Sequence, residues 1–127
     1  AAGVRKGPAM TLPKPLGDGE RLAEALARLA HTIDTRADTD PGISYTAKLL
    51  AKGPLQCGKK LGEEAIELAL ALAAQPDEEV VSEAADVLYH LLVALKARGI
   101  PLDQVGVALA AREGRSGLEE KARRPSD

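Results

Sequence analysis

The fold is decided by the stretch from Leu55 to Gly99, which reads LQCGKKLGEEAIELALALAAQPDEEVVSEAADVLYHLLVALKARG. It contains two long segments in which Leu, Ile, Val and Ala recur at helical spacing, and neither shows strand-like alternation. Gln75-Pro76-Asp77 interrupts the periodicity between them, and Gly99 stands where the C-terminus of a helix favours glycine. We therefore predict a third helix over Leu55–Ala74, a fourth over Asp77–Arg98 capped by Asp77, and antiparallel packing of the two.

Three shorter helices are predicted in the rest of the chain. The first begins at the N-cap residue Asp18 and ends at Arg36. Its apolar residues step by four, three and four positions and form one stripe: Leu22, Leu26, Leu29 and Ile33. Ser44 is expected to cap a second helix that ends at Lys52, and Pro101 to open a fifth over Leu102–Arg112.

These elements predict one all-α domain over residues 20–113. Its architecture is a helical bundle of about five helices built on the antiparallel hairpin. The nine residues before Met10 lack periodicity, so they are expected to be an added leader with Met10 as the native start. Residues 10–19 are rich in Pro and Gly and predict an irregular lead-in, and residues 114–127 predict a charged, mobile tail.

The composition excludes several functions. Seventeen Lys and Arg against nineteen Asp and Glu give a net charge of −2, and two Tyr are the only aromatic residues of the 127. A nucleic-acid partner is not expected, because it would require a basic excess or aromatic stacking platforms. No apolar run reaches the roughly 18 residues that a membrane span needs, and the single Cys57 suits a reducing compartment. We expect a cytoplasmic protein without a membrane partner.

The third and fourth helices each carry an acidic pair beside an apolar face. On a helical wheel Glu64 and Glu67 lie between two apolar flanks, and Glu83 and Asp86 border the wide apolar stripe of the fourth helix. In a hairpin the pairs can face each other, where carboxylates about 6 Å apart would repel by about 2–3 kcal/mol per pair. A divalent cation removes this repulsion. Oxygen-only ligands predict Mg²⁺, with Mn²⁺ as the alternative, and a substrate that carries a polyphosphate.

Two other interpretations of these pairs stay open at this point. The helices can simply carry acidic faces on the protein surface, and di-iron bundles also place carboxylates on facing helices. The di-iron interpretation has less support because such sites use Glu-x-x-His pairs, whereas His90 follows Asp86 by four residues. We interpret His90 as a packing residue that hydrogen-bonds to Asp86.

Basic residues near the acidic face are candidates for phosphate binding. Lys60 shares the acidic face and Lys59 precedes it, so both can hold a phosphate beside a metal ion. The alternative for Lys60 is a salt bridge to Glu63 or Glu64. Further cations come from the first two helices, as substrate contacts or as solvated surface residues: Arg36, Lys48 and Lys52.

The start of the second helix offers three hydroxyl groups. Ser44, Tyr45 and Thr46 are candidates for substrate binding, because backbone N–H groups at a helix N-terminus also bind anions. Plain capping of the helix is the alternative interpretation.

Three segments, in this order and at these separations, resemble the phosphoribosyl-ATP pyrophosphatase family of histidine biosynthesis. They are SYTAKL over 44–49, KKLGEEA over 59–65 and EAADVLYHLL over 83–92. The resemblance extends from about Leu22 to Arg112. The two acidic pairs alone would indicate only the wider MazG-like superfamily of all-α nucleotide pyrophosphatases.

The resemblance implies an all-α, usually dimeric enzyme that uses Mg²⁺ to hydrolyse phosphoribosyl-ATP to phosphoribosyl-AMP and pyrophosphate. It implies four metal ligands and a fifth carboxylate, Glu63, that positions water or a second ion. We expect water to attack the α-phosphorus, oriented or deprotonated by Glu63 or Glu64. A house-cleaning hydrolase of non-standard nucleoside triphosphates and a non-catalytic helical interaction module are the alternative functions. The implied metal ligands are Glu64, Glu67, Glu83 and Asp86.

Overall fold

A computed structural model describes Gly17, residues 19–114 and residues 121–122 of the chain. The predicted leader over residues 1–9 lies outside these residues. So do most of the predicted lead-in over residues 10–19 and most of the predicted tail over residues 114–127.

Five α-helices make up the described structure, and the described residues contain no strand, so the all-α prediction is confirmed. None of these helices is long and apolar enough to cross a membrane. In chain order the helices are α1 (Glu20–Arg36), α2 (Tyr45–Ala51), α3 (Gly53–Ala74), α4 (Asp77–Arg98) and α5 (Leu102–Ala111).

Two helix ends form as the local sequence predicts. The Ser44 side chain caps α2 by accepting a 3.2 Å hydrogen bond from the backbone N–H of Ala47. Gly99 ends α4 with φ at 79°, a left-handed conformation that glycine adopts without a steric penalty. α4 therefore stops where the chain must turn towards α5.

Two predicted N-caps differ from the structure. Asp18, predicted as the N-cap of α1, lies outside the described residues, and Gly19 occupies the cap position without a side-chain hydrogen bond. Asp77 is the first helical residue of α4 and not its cap, because Pro76 takes the cap position with φ at −63°. An acidic residue in the first helical turn still interacts favourably with the helix dipole.

The third helix begins two residues earlier than predicted, at Gly53 and not at Leu55. Pro54 is compatible with this start because the first turn of a helix does not need its missing N–H. Only Lys52 separates α2 from α3. Lys48 of α2 and Lys59 and Lys60 of α3 consequently line one pocket.

The α3–α4 hairpin has the most extensive contact of any helix pair, and α1 and α2 pack against α4. The Cys57 thiol donates a 3.1 Å hydrogen bond to the Leu49 carbonyl, and burial raises the pKa of this thiol. Cys57 is therefore a packing residue and not a nucleophile. The buried core residues are Ile33, Leu49, Cys57, Leu92 and Val93.

Two polar contacts fix α1 and α2 to α4. The hydroxyl groups of Thr46 and Tyr89 are 2.6 Å apart, and Lys96 Nζ lies 3.1 Å from Asp34 Oδ1. On a helical wheel Tyr89 lies away from the apolar stripe of α4, yet in the structure its side chain packs against the core. The reason is that α2 packs on α4 and partly buries the Tyr89 ring.

One side of α3 is not covered by any described part of the chain. The apolar side chains of Ile66, Leu70 and Leu72 are 63–66% exposed. Ala65 and Ala69, on the same helix, are exposed as well. The protein therefore presents an apolar helix face to its surroundings.

Candidate functional site

Two carboxyl groups of α3 lie at the centre of an acidic cluster. A hydrogen bond between the side chains of Glu64 and Glu67 is the main cause that raises the pKa of Glu64 to about 7. Burial and the negative charges of Glu67 and Asp86 raise it further, whereas the positive charge of Lys60 lowers it. A hydrogen bond between two carboxyl groups requires a proton on one of them. Glu64 therefore binds a proton at a higher pH than an ordinary glutamate does.

The fourth helix contributes two more carboxylates on the same side of the hairpin. Glu83 is only 3% exposed and lines a cleft of about 550 Å³ together with Glu67. Asp86 lies near enough for its charge to act on Glu64. Glu64, Glu67, Glu83 and Asp86, called the acidic cluster below, thus combine residues of α3 and α4.

The acidic cluster does not form a preassembled metal cage. Within residues 19–114, no group of three or more His, Cys, Asp or Glu side chains is arranged to hold a metal ion. The donor set fits Mg²⁺ or Mn²⁺, because it consists of carboxylate oxygens alone.

Lys60 lies at the edge of the acidic cluster. Its Nζ atom is 3.9 Å from Oε2 of Glu64 and 3.9 Å from Oε2 of Glu63. The Glu63 side chain is 68% exposed, whereas that of Glu64 is 12% exposed. The two adjacent carboxylates therefore differ in environment, and Glu63 faces away from the cluster towards a neighbouring pocket.

That pocket is basic, with a volume of about 400 Å³ between α2 and the start of α3. Four lysines and one carboxylate line it, so its formal charge is strongly positive. Lys52, which the sequence leaves as a substrate contact or a solvated surface residue, belongs to this pocket and follows Lys48 by about one helical turn. We call it the lysine pocket and define it by Tyr45, Lys48, Lys52, Lys59, Lys60 and Glu63.

Only one of the three predicted hydroxyl residues faces the lysine pocket. Tyr45 is 54% exposed and lines it. Ser44 and Thr46 are buried, and their hydroxyl groups already interact with the Ala47 N–H and with Tyr89. For these two the structure shows the capping and packing roles that the sequence left as the alternative.

His90 is a buried residue between the lysine pocket and the acidic cluster. Its ring meets those of Tyr89 and Tyr45 edge to face, with centroids 5.0 Å and 6.4 Å apart. Burial, followed by the charge of Lys60, lowers the pKa of His90, although Asp86 opposes this effect. A neutral packing residue beside Asp86 agrees with the sequence interpretation, while the hydrogen bond between the two stays a prediction.

Arg36 is not among the residues that line the lysine pocket. Arg36 is exposed at the end of α1. Burial raises the pKa of Tyr89, and the positive charge of Arg36 lowers it in part. The structure thus gathers Lys48, Lys59 and Lys60 in one pocket and leaves Arg36 beside Tyr89.

Comparison with known proteins identifies the family of this fold and site. A family model described as Phosphoribosyl-ATP pyrophosphohydrolase matches residues 26–113. The chain belongs to the phosphoribosyl-ATP pyrophosphohydrolase family. The matched residues include every member of the acidic cluster and of the lysine pocket, and the resemblance seen in the sequence is confirmed.

Relatives of this family match the chain over most of their length. The phosphoribosyl-ATP pyrophosphatase of Caulobacter sp. (strain K31) is 56% identical over 106 residues, which cover 84% of this chain and 98% of that protein. The phosphoribosyl-ATP pyrophosphatase of Paracoccus denitrificans (strain Pd 1222) is 50% identical over 115 residues, which cover 91% and 99%. Phosphoribosyl-ATP pyrophosphatase 1 of Rhodopseudomonas palustris is 52% identical over 99 residues, which cover 78% and 92%.

Proposed function

We propose that this chain hydrolyses phosphoribosyl-ATP to phosphoribosyl-AMP and pyrophosphate in the cytoplasm, as an early step of histidine biosynthesis. The observation that carries the proposal is the grouping of the carboxylates of α3 and α4 in one acidic cluster, within the region that the family model matches. Crowded carboxylates destabilise a fold because they repel one another. Their position next to the lysine pocket therefore points to a ligand that interacts with both the negative charges of the acidic cluster and the positive charges of the lysines.

The acidic cluster is the proposed site of Mg²⁺, with Mn²⁺ as the alternative. Glu64, Glu67, Glu83 and Asp86 would hold the ion, whose charge replaces the proton between Glu64 and Glu67. When bound, Mg²⁺ neutralises negative charge on the polyphosphate of the substrate.

The remaining charged residues orient the reacting groups. Water attacks the α-phosphorus, the bond to the bridging oxygen breaks, and pyrophosphate leaves. Glu63 or Glu64 orients the water and accepts its proton, and Glu63 has the advantage of not being among the four proposed ligands. Lys60, next to Glu64, stabilises charge on the phosphates, with Lys59 behind it. A contribution from Arg36 stays a prediction.

Replacing Glu67 by Gln tests the proposed function. Pyrophosphate release from phosphoribosyl-ATP should fall at least about a hundredfold, because an oxygen ligand and the partner of Glu64 are lost together. Glu78→Gln, an exposed change on the same hairpin, is the control and should keep full activity. A Glu67→Gln chain with full turnover and a normal helical spectrum would remove Glu67 from the site.

A second copy of the chain is the proposed occupant of the exposed apolar face of α3. Ile66, Leu70 and Leu72 together form a surface that a monomer would leave in water. Leu70→Glu should shift sedimentation equilibrium towards the monomer, whereas Val107→Glu, an equally exposed position on α5, should not. A wild-type chain that sediments as a monomer at all concentrations would contradict the homodimer.

A further inference from the structure

The lysine pocket extends well beyond the reach of the acidic cluster. Lys52 precedes Glu64 by twelve residues and Glu67 by fifteen, so their backbone positions are separated by about 18 Å and 22 Å along the axis of α3 at 1.5 Å per residue. A triphosphate, with two bridging oxygens between its outer phosphorus atoms, is much shorter than this. A triphosphate held at the acidic cluster therefore leaves the Lys48 and Lys52 end of the pocket without a phosphate.

That end of the pocket is built for an anion. Lys48 and Lys52 lie on the α2 side, Lys59 and Lys60 on the α3 side, and Glu63 is the single opposing carboxylate in the lining. Four ammonium groups around one cavity repel one another, and a phosphate dianion offsets that repulsion. The half-exposed Tyr45 ring, which contacts buried His90, supplies an apolar wall beside these charges.

The proposed substrate has phosphate at both ends. One end is the triphosphate, and the other is the terminal phosphate of the added phosphoribosyl group. We propose that Lys48 and Lys52 bind this terminal phosphate and thereby make the chain select phosphoribosyl-ATP over ATP, an inference that rests on the proposed function. The lysine pocket and the acidic cluster then hold opposite ends of one extended molecule, with Lys60 between them.

The double substitution Lys48→Gln and Lys52→Gln tests this assignment through the separation of KM from kcat. KM for phosphoribosyl-ATP should increase at least about tenfold, because charge-assisted hydrogen bonds to phosphate are lost, while kcat changes less than about threefold. Ribose 5-phosphate should inhibit the wild type competitively, and its inhibition constant should increase by the same factor in the variant. Lys48→Arg with Lys52→Arg keeps the charges and should restore both constants.

A matched control removes two positive charges elsewhere. Arg28→Gln with Arg98→Gln, both exposed and outside the lysine pocket, should leave KM and the inhibition constant within about twofold of the wild type. An unchanged KM in the Lys48 and Lys52 variant would overturn the inference. A collapse of kcat at constant KM would also overturn it, because the lysines would then stabilise the departing pyrophosphate.

Failure of the proposed function gives a different result. A wild-type chain that does not hydrolyse phosphoribosyl-ATP with Mg²⁺ contradicts the activity, whereas calorimetric binding of ribose 5-phosphate still tests the pocket. Binding that disappears in the Lys48→Gln and Lys52→Gln variant supports the subsite, and equal binding by both chains refutes it.

Discussion

Lowering the pH from 8 to 6 should weaken Mg²⁺ binding by the acidic cluster about tenfold. With a pKa of about 7, Glu64 is about nine-tenths protonated at pH 6 and about one-tenth protonated at pH 8. Mg²⁺ binds the carboxylate and not the acid, so binding at pH 6 must first release this proton. The ratio of the unprotonated fractions gives the factor of about ten.

The same proton changes the stability of the metal-free chain in a defined direction. The pKa of Glu64 is raised in the folded state, so the native chain binds this proton more tightly than the unfolded chain does. Its contribution to the free energy of unfolding is fully present below about pH 4.5 and is lost as the pH rises to about 7. The lowered pKa of His90 changes the free energy of unfolding with pH in the opposite direction. The quantity to measure is therefore the difference in the free energy of unfolding between the wild type and Glu64→Gln, both in EDTA.

Isothermal titration calorimetry with Mg²⁺ at pH 6 and pH 8 measures the predicted ratio of dissociation constants. Glu63→Gln should keep the ratio near ten, because Glu63 is exposed and does not share the proton. Glu67→Gln removes the negative charge of Glu67 and replaces its carboxyl group by an amide that can donate to the Glu64 carboxylate, so any remaining binding should depend little on pH. Equal Mg²⁺ affinity of the wild type at both pH values would refute the assignment of the shared proton to the metal site.

Three stability predictions follow from individual contacts, each measured by urea unfolding of the metal-free chain. Ser44→Ala should lower the free energy of unfolding by about 1 kcal/mol, because the Ala47 N–H loses its cap; no loss would mean that water replaces the cap. Tyr89→Phe should cost about 1–2 kcal/mol, because the buried Thr46 hydroxyl loses its partner; a Thr46→Val background should abolish this cost. Gly99→Ala should cost about 1 kcal/mol through its positive φ, and an unchanged midpoint would show that the turn rearranges.

Much of the fold could be predicted because its signals are local. The 3.6-residue periodicity, Gln75-Pro76 and Gly99 define the hairpin, and the helix bounds agree within about two residues. The acidic pairs were visible because carboxylates that border an apolar face are unusual on a helix. The family of the chain could be predicted from three short segments, because their order and spacing along the sequence are specific.

The environment of each predicted site residue could not be obtained in this way. Adjacent Glu63 and Glu64 look equivalent along the chain, yet one is largely exposed and the other shares a proton with Glu67. Thr46 looked available for a substrate, but its hydroxyl contacts Tyr89, forty-three residues away. Such differences arise from contacts between helices that no single helical wheel contains.

The sequence alone determined the helices, the angular position of each carboxylate on its own helix and the family. The tertiary structure alone decided which carboxyl groups act on the pKa of Glu64, which hydroxyls are already bonded, and that Lys48 lines one pocket with Lys59 and Lys60. The physical reason is that helical periodicity depends on neighbours within one turn, whereas burial and charge coupling depend on which remote helix packs alongside.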